Sequence, residues 1–116
     1  AMRWLKTNSP KDSIVLSRFD EGHLINAKAE RKNLMDSYFL LSEDIESKFN
    51  DIEILYQNPF EARALELIRK YKINYIYLSQ KTKEQFGIQS LVYTQDKNCF
   101  NDIYENDEAK IYKITC

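Results

Sequence analysis

The hydrophobic positions of this chain form short continuous runs, typical of strands, separated by stretches with helical spacing. Two such runs, 13–17 and 73–78, predict strands, and the second is apolar except for Asn74, which favours an internal strand covered on both faces. Residues 99–104 and 109–115 flank Asn106 and Asp107 and predict a C-terminal hairpin. A weaker extended segment is predicted near 32–35.

Short helices are predicted between these strands. The first contains Trp4 and Leu5 and ends before Pro10, because proline disfavours helical geometry in the residue that precedes it. A second is predicted over 22–28, and a single turn over 82–86 is closed by Gly87. This order predicts an α/β fold: a mixed, largely parallel sheet flanked by helices, with a C-terminal antiparallel hairpin.

Two longer helices are predicted between residues 43 and 71. The first, over about 43–56, carries acidic residues in its first turn and places Ile45, Phe49 and Ile52 on one face. The second starts at Asn58 and Pro59, a capping side chain followed by proline at the first helical position, and runs to about residue 71.

Length and composition predict a single soluble domain over residues 1–116. The formal net charge of -1 gives no general attraction to nucleic acid or anionic lipid. Two glycines exclude a repeated phosphate-binding loop, and no apolar run approaches the roughly 20 residues of a membrane-spanning helix. The chain opens as an amphipathic helix entered midway, which predicts a domain excised from a longer protein.

Polar side chains follow the first predicted strand directly. Arg18, Asp20, Glu21 and His23 are the titratable groups that lie closest together in the sequence, and they offer an acid, a base and a cation. The simpler interpretation is that Asp20 caps the helix that opens near Gly22, while Glu21 and His23 are solvated. One histidine and closely spaced carboxylates do not make a tetrahedral metal site, so no metal ligand is predicted here. The capping interpretation predicts no catalytic residue either.

The predicted hairpin brings Cys99 close to Cys116. A disulfide between them is one interpretation, and free buried thiols are the other. A Cys-His nucleophilic pair is disfavoured, because neither cysteine lies at a helix start, where a thiolate is stabilised. The eight tyrosines recur at strand and helix periods, which predicts packing rather than a platform for sugars or nucleic acid.

Several short motifs resemble the extracytoplasmic domain that follows the membrane helices of archaeal oligosaccharyltransferase catalytic subunits and related membrane glycosyltransferases. They cover nearly the whole chain and are mostly structural. The motifs are Trp4-Leu5-Lys6, Asn8, Pro10, Asp12, Ile14-Val15-Leu16-Ser17, Asp20, Gly22-His23, Asn58-Pro59-x-Glu61-Ala62, Tyr71-Lys72-Ile73-Asn74-Tyr75-Ile76, Ile103-Tyr104-Glu105-Asn106 and Lys110-Ile111-Tyr112-Lys113.

In the family that this chain resembles, the loop after the first strand reads Trp-Trp-Asp-Tyr-Gly and helps bind the hydroxyl residue of the acceptor sequon. Arg18, Phe19, Asp20, Glu21 and Gly22 occupy that loop here. Only the aspartate and the glycine match, so the resemblance implies a divergent relative and does not carry sequon recognition across. Its expected contact residues, for an acceptor or a partner, are Arg18, Phe19, Asp20, Glu21 and His23.

The resemblance further implies that the catalytic carboxylates and a divalent metal belong to the membrane part of a parent protein. This domain is then non-catalytic and holds no cofactor of its own. Its expected partners are the membrane helices of the parent and a peptide or glycan acceptor, with no nucleic acid. Its expected place is the extracytoplasmic face of the cell membrane.

Two other functions compete with this one. The chain could be a free-standing protein-interaction module whose α/β scaffold presents loops to a partner. It could also be a small soluble hydrolase that uses Asp20 or Glu21 as a general base, which requires a concave pocket at the end of the first strand.

Overall fold

The computed structural model describes residues 1–18, 21–33, 45–57 and 60–116, apart from the side chains of His23 and Ile45. Within these residues the helices are α1 (Met2–Asn8), α2 (Gly22–Ala27), α3 (Ile45–Gln57), α4 (Glu61–Tyr71) and α5 (Gln80–Phe86), with a 3-10 helix at Val92–Gln95. The strands are β1 (Ile14–Leu16), β2 (Lys32–Asn33), β3 (Tyr75–Ser79), β4 (Phe100–Glu105) and β5 (Ala109–Ile114).

The strands form one mixed sheet in the order β2-β1-β3-β5-β4. β1 pairs in parallel with both β2 and β3, while β5 pairs antiparallel with β3 and β4. The pairing of β4 with β5 shifts register between Asp102 and Tyr104. The predicted α/β class is confirmed, with parallel pairing on one side of the sheet and the C-terminal hairpin on the other.

Helices cover both faces of this sheet. On one face, Leu5 of α1 and Ile25 of α2 pack with Val15 of β1. On the other face, side chains of α3 and α4 pack against Leu16 and Ile76. All five residues of β3 are buried, which confirms the predicted internal strand. Among the residues that the structure describes, no helix is both long and apolar enough to cross a membrane.

The buried face of α3 differs from the prediction. Ile52 is buried as expected, but Phe49 is 36% exposed, and Asp51 is 7% exposed. The Asp51 carboxylate accepts hydrogen bonds from the Tyr71 hydroxyl and from Lys70 Nζ at 3.2 Å. Because these partners satisfy a buried carboxylate, a polar residue occupies a position that a purely apolar stripe would not include.

The start of α4 was also wrongly predicted. The helix begins at Glu61, and its N-cap is Phe60, which has extended backbone angles and no capping side chain. Asn58 and Pro59 lie outside the described residues. The end agrees with the prediction: Lys72 adopts a left-handed conformation with φ 56°, and Ile73 N–H donates to Ile68 O at 3.0 Å. These features end the helix at Tyr71.

The C-terminal hairpin turns at Asn106, as predicted. The Asn106 Oδ1 atom accepts hydrogen bonds from the backbone N–H of Glu108 at 2.9 Å and of Ala109 at 2.8 Å. This side chain therefore takes the place of a backbone turn acceptor. At the open end of the hairpin, the structure joins Cys99 and Cys116 in a disulfide, with their Cα atoms 4.5 Å apart.

Candidate functional site

The carboxyl ends of β1 and β3 lie side by side at the point where the strand order reverses. From β1 the chain passes through α2 to β2 on one side, whereas β3 lies on the other side of β1. Ile25 of α2 packs on one face of the sheet, and Phe86 of α5 packs on the opposite face. In open α/β sheets, this arrangement leaves a crevice in which ligands commonly bind.

Tyr56 of α3 fixes the spacing of the two strand ends. Its hydroxyl lies 2.7 Å from the carbonyl oxygen of Tyr77 and 3.3 Å from that of Leu16. Its ring stacks on Phe86 with centroids 5.5 Å apart. Burial raises the pKa of Tyr56 well above its usual value, so the hydroxyl stays protonated and donates to these carbonyls.

A chain of hydrogen bonds links the loop after β1 to the start of α5. Thr82 N–H donates to Ser79 Oγ at 3.1 Å, which caps α5. The Thr82 hydroxyl donates to Glu21 Oε1 at 2.8 Å, and it lies 3.0 Å from Ser79 Oγ. Since the Thr82 proton goes to the carboxylate, the Ser79 hydroxyl donates to Thr82 Oγ1, and the direction of each bond is fixed.

Two of the five predicted contact residues can be placed with their side chains. Arg18 Nη1 donates to Gln85 Oε1 at 3.0 Å, so Arg18 and Glu21 are both held against α5. Glu21 is only 6% exposed, so the interpretation of Glu21 as a solvated residue was wrong. It is also the N-cap residue of α2, one position after the predicted cap. Phe19 and Asp20 lie outside the described residues, and the side chain of His23 is not described.

A cleft of about 440 Å³ opens beside this network. Burial, together with the nearby carboxylates of Glu21 and Glu108, raises the pKa of Tyr77 to about 12. From its spacing in the sequence Tyr77 was predicted to pack, and Ser79, Thr82 and Glu108 were not predicted as site residues. The Ser-x-x-Thr spacing after a strand was the available signal for the cap. The residues that line the cleft are Glu21, Leu24, Tyr77, Ser79, Gln80, Lys81 and Glu108.

One group of potential metal ligands occurs elsewhere within the described residues. Atoms of Glu61, Asp96 and Cys99 lie within 4.8 Å of one another. The Cys99 sulfur is bonded to Cys116 and cannot act as a thiolate ligand, so the group offers two carboxylates. A hydrogen bond with Asp96 raises the pKa of Glu61 above its usual value.

No protein-family model matches the sequence, and none of the curated proteins is similar to it at a significant level. Among solved structures, the chain is similar to the C-terminal globular domain of an oligosaccharyltransferase from Archaeoglobus fulgidus. The TM-score is 0.72 at 14% identity, over 97% of this chain and 93% of that one. The chain has the fold of that oligosaccharyltransferase domain.

The likeness that the sequence motifs suggested is therefore confirmed at the level of fold. In this oligosaccharyltransferase-type fold, β2 contacts the start of α2, the helix that follows the loop after β1. Asn33 of β2 is 1% exposed, and its Nδ2 donates to the carbonyl oxygen of Gly22 at 2.7 Å. The first residue of α2 is thereby tied to the sheet, next to Glu21.

We expect Gly22→Ala to destabilise the chain, because an added Cβ would lie 2.8–3.0 Å from the Asn33 side chain. Such overpacking costs about 1–3 kcal/mol. Urea unfolding of both proteins measures the loss. In NMR spectra, the side-chain amide of Asn33 should shift in the same variant.

Gly87→Ala is the matched control for this prediction. Gly87 also requires glycine for its φ of 65°, but a Cβ there meets nothing within 4 Å. This second variant should lose stability through backbone strain alone and leave the Asn33 signals unchanged. An unfolding midpoint for Gly22→Ala equal to that of the parent chain would contradict the close approach.

Proposed function

We propose that this chain is a non-catalytic, extracytoplasmic domain of a membrane-embedded glycosyltransferase related to archaeal oligosaccharyltransferases. In this proposal the loop at 18–23 contacts an acceptor or a partner. The observation that carries it is the likeness in fold, over 97% of the chain, to an oligosaccharyltransferase C-terminal globular domain. The catalytic carboxylates and a divalent metal would belong to the membrane part of the parent, and this domain would hold no cofactor.

The position of the loop supports its role in contact. Its described residues Arg18 and Glu21 lie at the carboxyl ends of β1 and β3, beside the cleft, and are anchored to α5 by Arg18–Gln85 and Glu21–Thr82 hydrogen bonds. Anchoring lowers the entropy that a loop loses when it binds a partner. The partners in this proposal are the membrane helices of the parent and a peptide or glycan acceptor, rather than nucleic acid.

The disulfide supports the proposed location. Cys99 and Cys116 are bonded, and disulfides form and persist in oxidising surroundings outside the cytosol. This observation is independent of the likeness in fold. Both observations favour the outer side of the cell membrane.

Photo-crosslinking in native membranes tests the proposal. The crosslinking residue replaces Gln85, which is exposed and bonded to Arg18, in the full-length reading frame. The expected product joins this domain to membrane helices of the parent or to an acceptor. Asp12 lies just before β1, at the opposite end of that strand, and the same substitution there should give no such product. Crosslinks only to soluble proteins would contradict the proposal and favour a protein-interaction module.

A small hydrolase is the second candidate, because a cleft opens at the end of β1, as that function requires. Glu21 lines this cleft and could act as a general base. Assays of the purified chain against simple esters and glycosides separate the two functions. Turnover that Glu21→Gln abolishes would favour the hydrolase and overturn a non-catalytic role.

A further inference from the structure

The Glu21 carboxylate is buried, and none of the described cations pairs with it. Glu21 is 6% exposed, and Oε1 accepts the hydrogen bond from the Thr82 hydroxyl. Within the described residues, no lysine or arginine forms a salt bridge with it. A buried carboxylate is costly unless a cation or several donors satisfy it, so its remaining lone pairs call for a donor.

The Tyr77 hydroxyl is a second polar group that faces the same cleft. Tyr77 is 7% exposed and lines the cleft, and none of the hydrogen bonds between described residues uses its hydroxyl. Among the described residues it is not one of the fully buried polar atoms that lack a partner, so it opens onto the cleft. Such a hydroxyl is available to a ligand that enters the cleft beside Glu21.

The charges around the cleft select the kind of ligand. Glu108 also lines the cleft. The carboxylates of Glu21 and Glu108 both raise the pKa of the Tyr77 hydroxyl, so these three groups share one electrostatic environment. Lys81 lies on the rim, but within the described residues it makes no ion pair with either carboxylate. The side chain of Leu24 and the ring of Tyr77 supply apolar walls. An anion is disfavoured here, and a small cation with several donors is favoured.

We propose that this cleft binds a primary ammonium group carried by a peptide, from either a lysine side chain or an N-terminal amine. An ammonium has three N–H donors and no acceptor, and the cleft offers three acceptors, on Glu21, Tyr77 and Glu108. The Tyr77 ring adds attraction for a cation near its face. This inference rests on the proposed function, because it names the chemistry of the partner that the loop at 18–23 contacts.

NMR titration of the folded chain at neutral pH tests the inference with two probes. One is Nα-acetyl-lysine methylamide, which carries only the side-chain ammonium, and the other is glycine amide, which carries only an N-terminal one. We expect saturable shifts of the Tyr77 ring, the Leu24 methyls and the Thr82 amide. The probe that binds more tightly identifies the source of the ammonium. The lysine probe acetylated at Nζ has lost its charge and should not bind.

Three variants in the cleft should change the affinity in different directions. Glu21→Gln keeps an acceptor for Thr82 but removes the charge, and should weaken binding at least about tenfold. Tyr77→Phe removes one acceptor and should weaken it by about three- to tenfold. Lys81→Met removes a competing cation and should strengthen binding. Glu84→Gln, an exposed carboxylate of α5 that does not line the cleft, is the control and should leave the affinity unchanged.

Several results would overturn the inference. These are no saturable shift with either probe, equal binding of the acetylated probe, or an affinity that Glu21→Gln leaves unchanged. If Glu21→Gln fails to fold, the other two variants test the inference. It requires that Tyr77→Phe weakens the binding of the probe and that Lys81→Met strengthens it. Crosslinking from position 85 does not depend on an amine. A crosslink to membrane helices or an acceptor, without binding of either amine probe, would therefore contradict this inference and leave the proposed function standing. Amine binding without a membrane crosslink removes the proposed function instead.

Discussion

Replacing Arg31 with methionine is expected to lower the free energy of unfolding by about 3–5 kcal/mol, the range for breaking a buried charged network. Arg31 is only 6% exposed, yet within the described residues its guanidinium meets no carboxylate. It is held by oxygen atoms at the end of α1 and the turn after α2. Removing the guanidinium would leave buried carbonyl groups without donors, and these account for most of the expected loss.

The geometry explains why the position requires arginine. Nη2 donates to Lys6 O at 2.8 Å and to Ser9 O at 2.7 Å, while Nε donates to Ser9 Oγ at 2.8 Å. Nη1 donates to the carbonyl oxygens of Ala29 and Glu30 at 3.3 and 3.0 Å. Only a planar fork with five donors can serve these acceptors together, so Arg31→Lys should lose more than half of the same stabilisation.

Urea unfolding followed by circular dichroism measures the effect, with Arg63→Met as the matched control. Arg63 is only partly buried, with a side chain that is 40% exposed, and it pairs with Glu66 at 2.9 Å within α4. Losing such a surface pair should cost about 0–1 kcal/mol. If the two methionine variants unfold at the same urea concentration, Arg31 does not hold α1 against the sheet.

The double variant Cys99→Ser/Cys116→Ser is expected to lose about 3 kcal/mol, because a short disulfide loop restricts the unfolded chain by roughly that amount. The two cysteines are 17 residues apart in the sequence. The folded hairpin should persist in the variant. Thr115 N–H donates to Cys99 O at 2.8 Å, and Thr115 Oγ1 donates to Asn98 O at 2.9 Å, so the strand ends remain bonded.

Thermal unfolding with and without dithiothreitol checks this second prediction. Reductant should lower the midpoint of the parent chain to that of the double variant and leave the variant unchanged. A parent chain whose midpoint does not respond to complete reduction would show that the loop constraint contributes no stability.

Local patterns were sufficient where the determinants lie within one element. The β-branched and aromatic run that became β3 needs cover on both faces, and Asn106 supplies its own turn acceptors, so the strand and the hairpin were predictable. Prediction failed where a distant partner decides the outcome. Asp51 is buried because Tyr71 and Lys70 of the next helix bond it, and no periodicity within α3 indicates that.

In the candidate site, too, local sequence predicted some features, while others depend on residues that are distant in the chain. The loop after β1 was predictable, because polar residues gather where strands end. Its partner Thr82 lies 61 residues further along the chain, and only the strand order places β3 beside β1. The ring of Tyr77 packs as its period predicted, but the environment of its hydroxyl depends on Glu21 and Glu108, which come from two other segments.

The margins of the sheet limit how a partner can approach. Within the described part of the chain, β2 at one margin has two residues, and β4 at the other has an interrupted register beside Asp102. Asp102 is bound there by Lys97 at 2.8 Å and Lys110 at 3.0 Å. A foreign strand needs a regular row of backbone donors and acceptors, which neither margin offers. A bound peptide would therefore not add a strand to the sheet. It would be recognised at the ends of the strands through the charge and shape of its side chains, so its amino-acid sequence would determine its affinity.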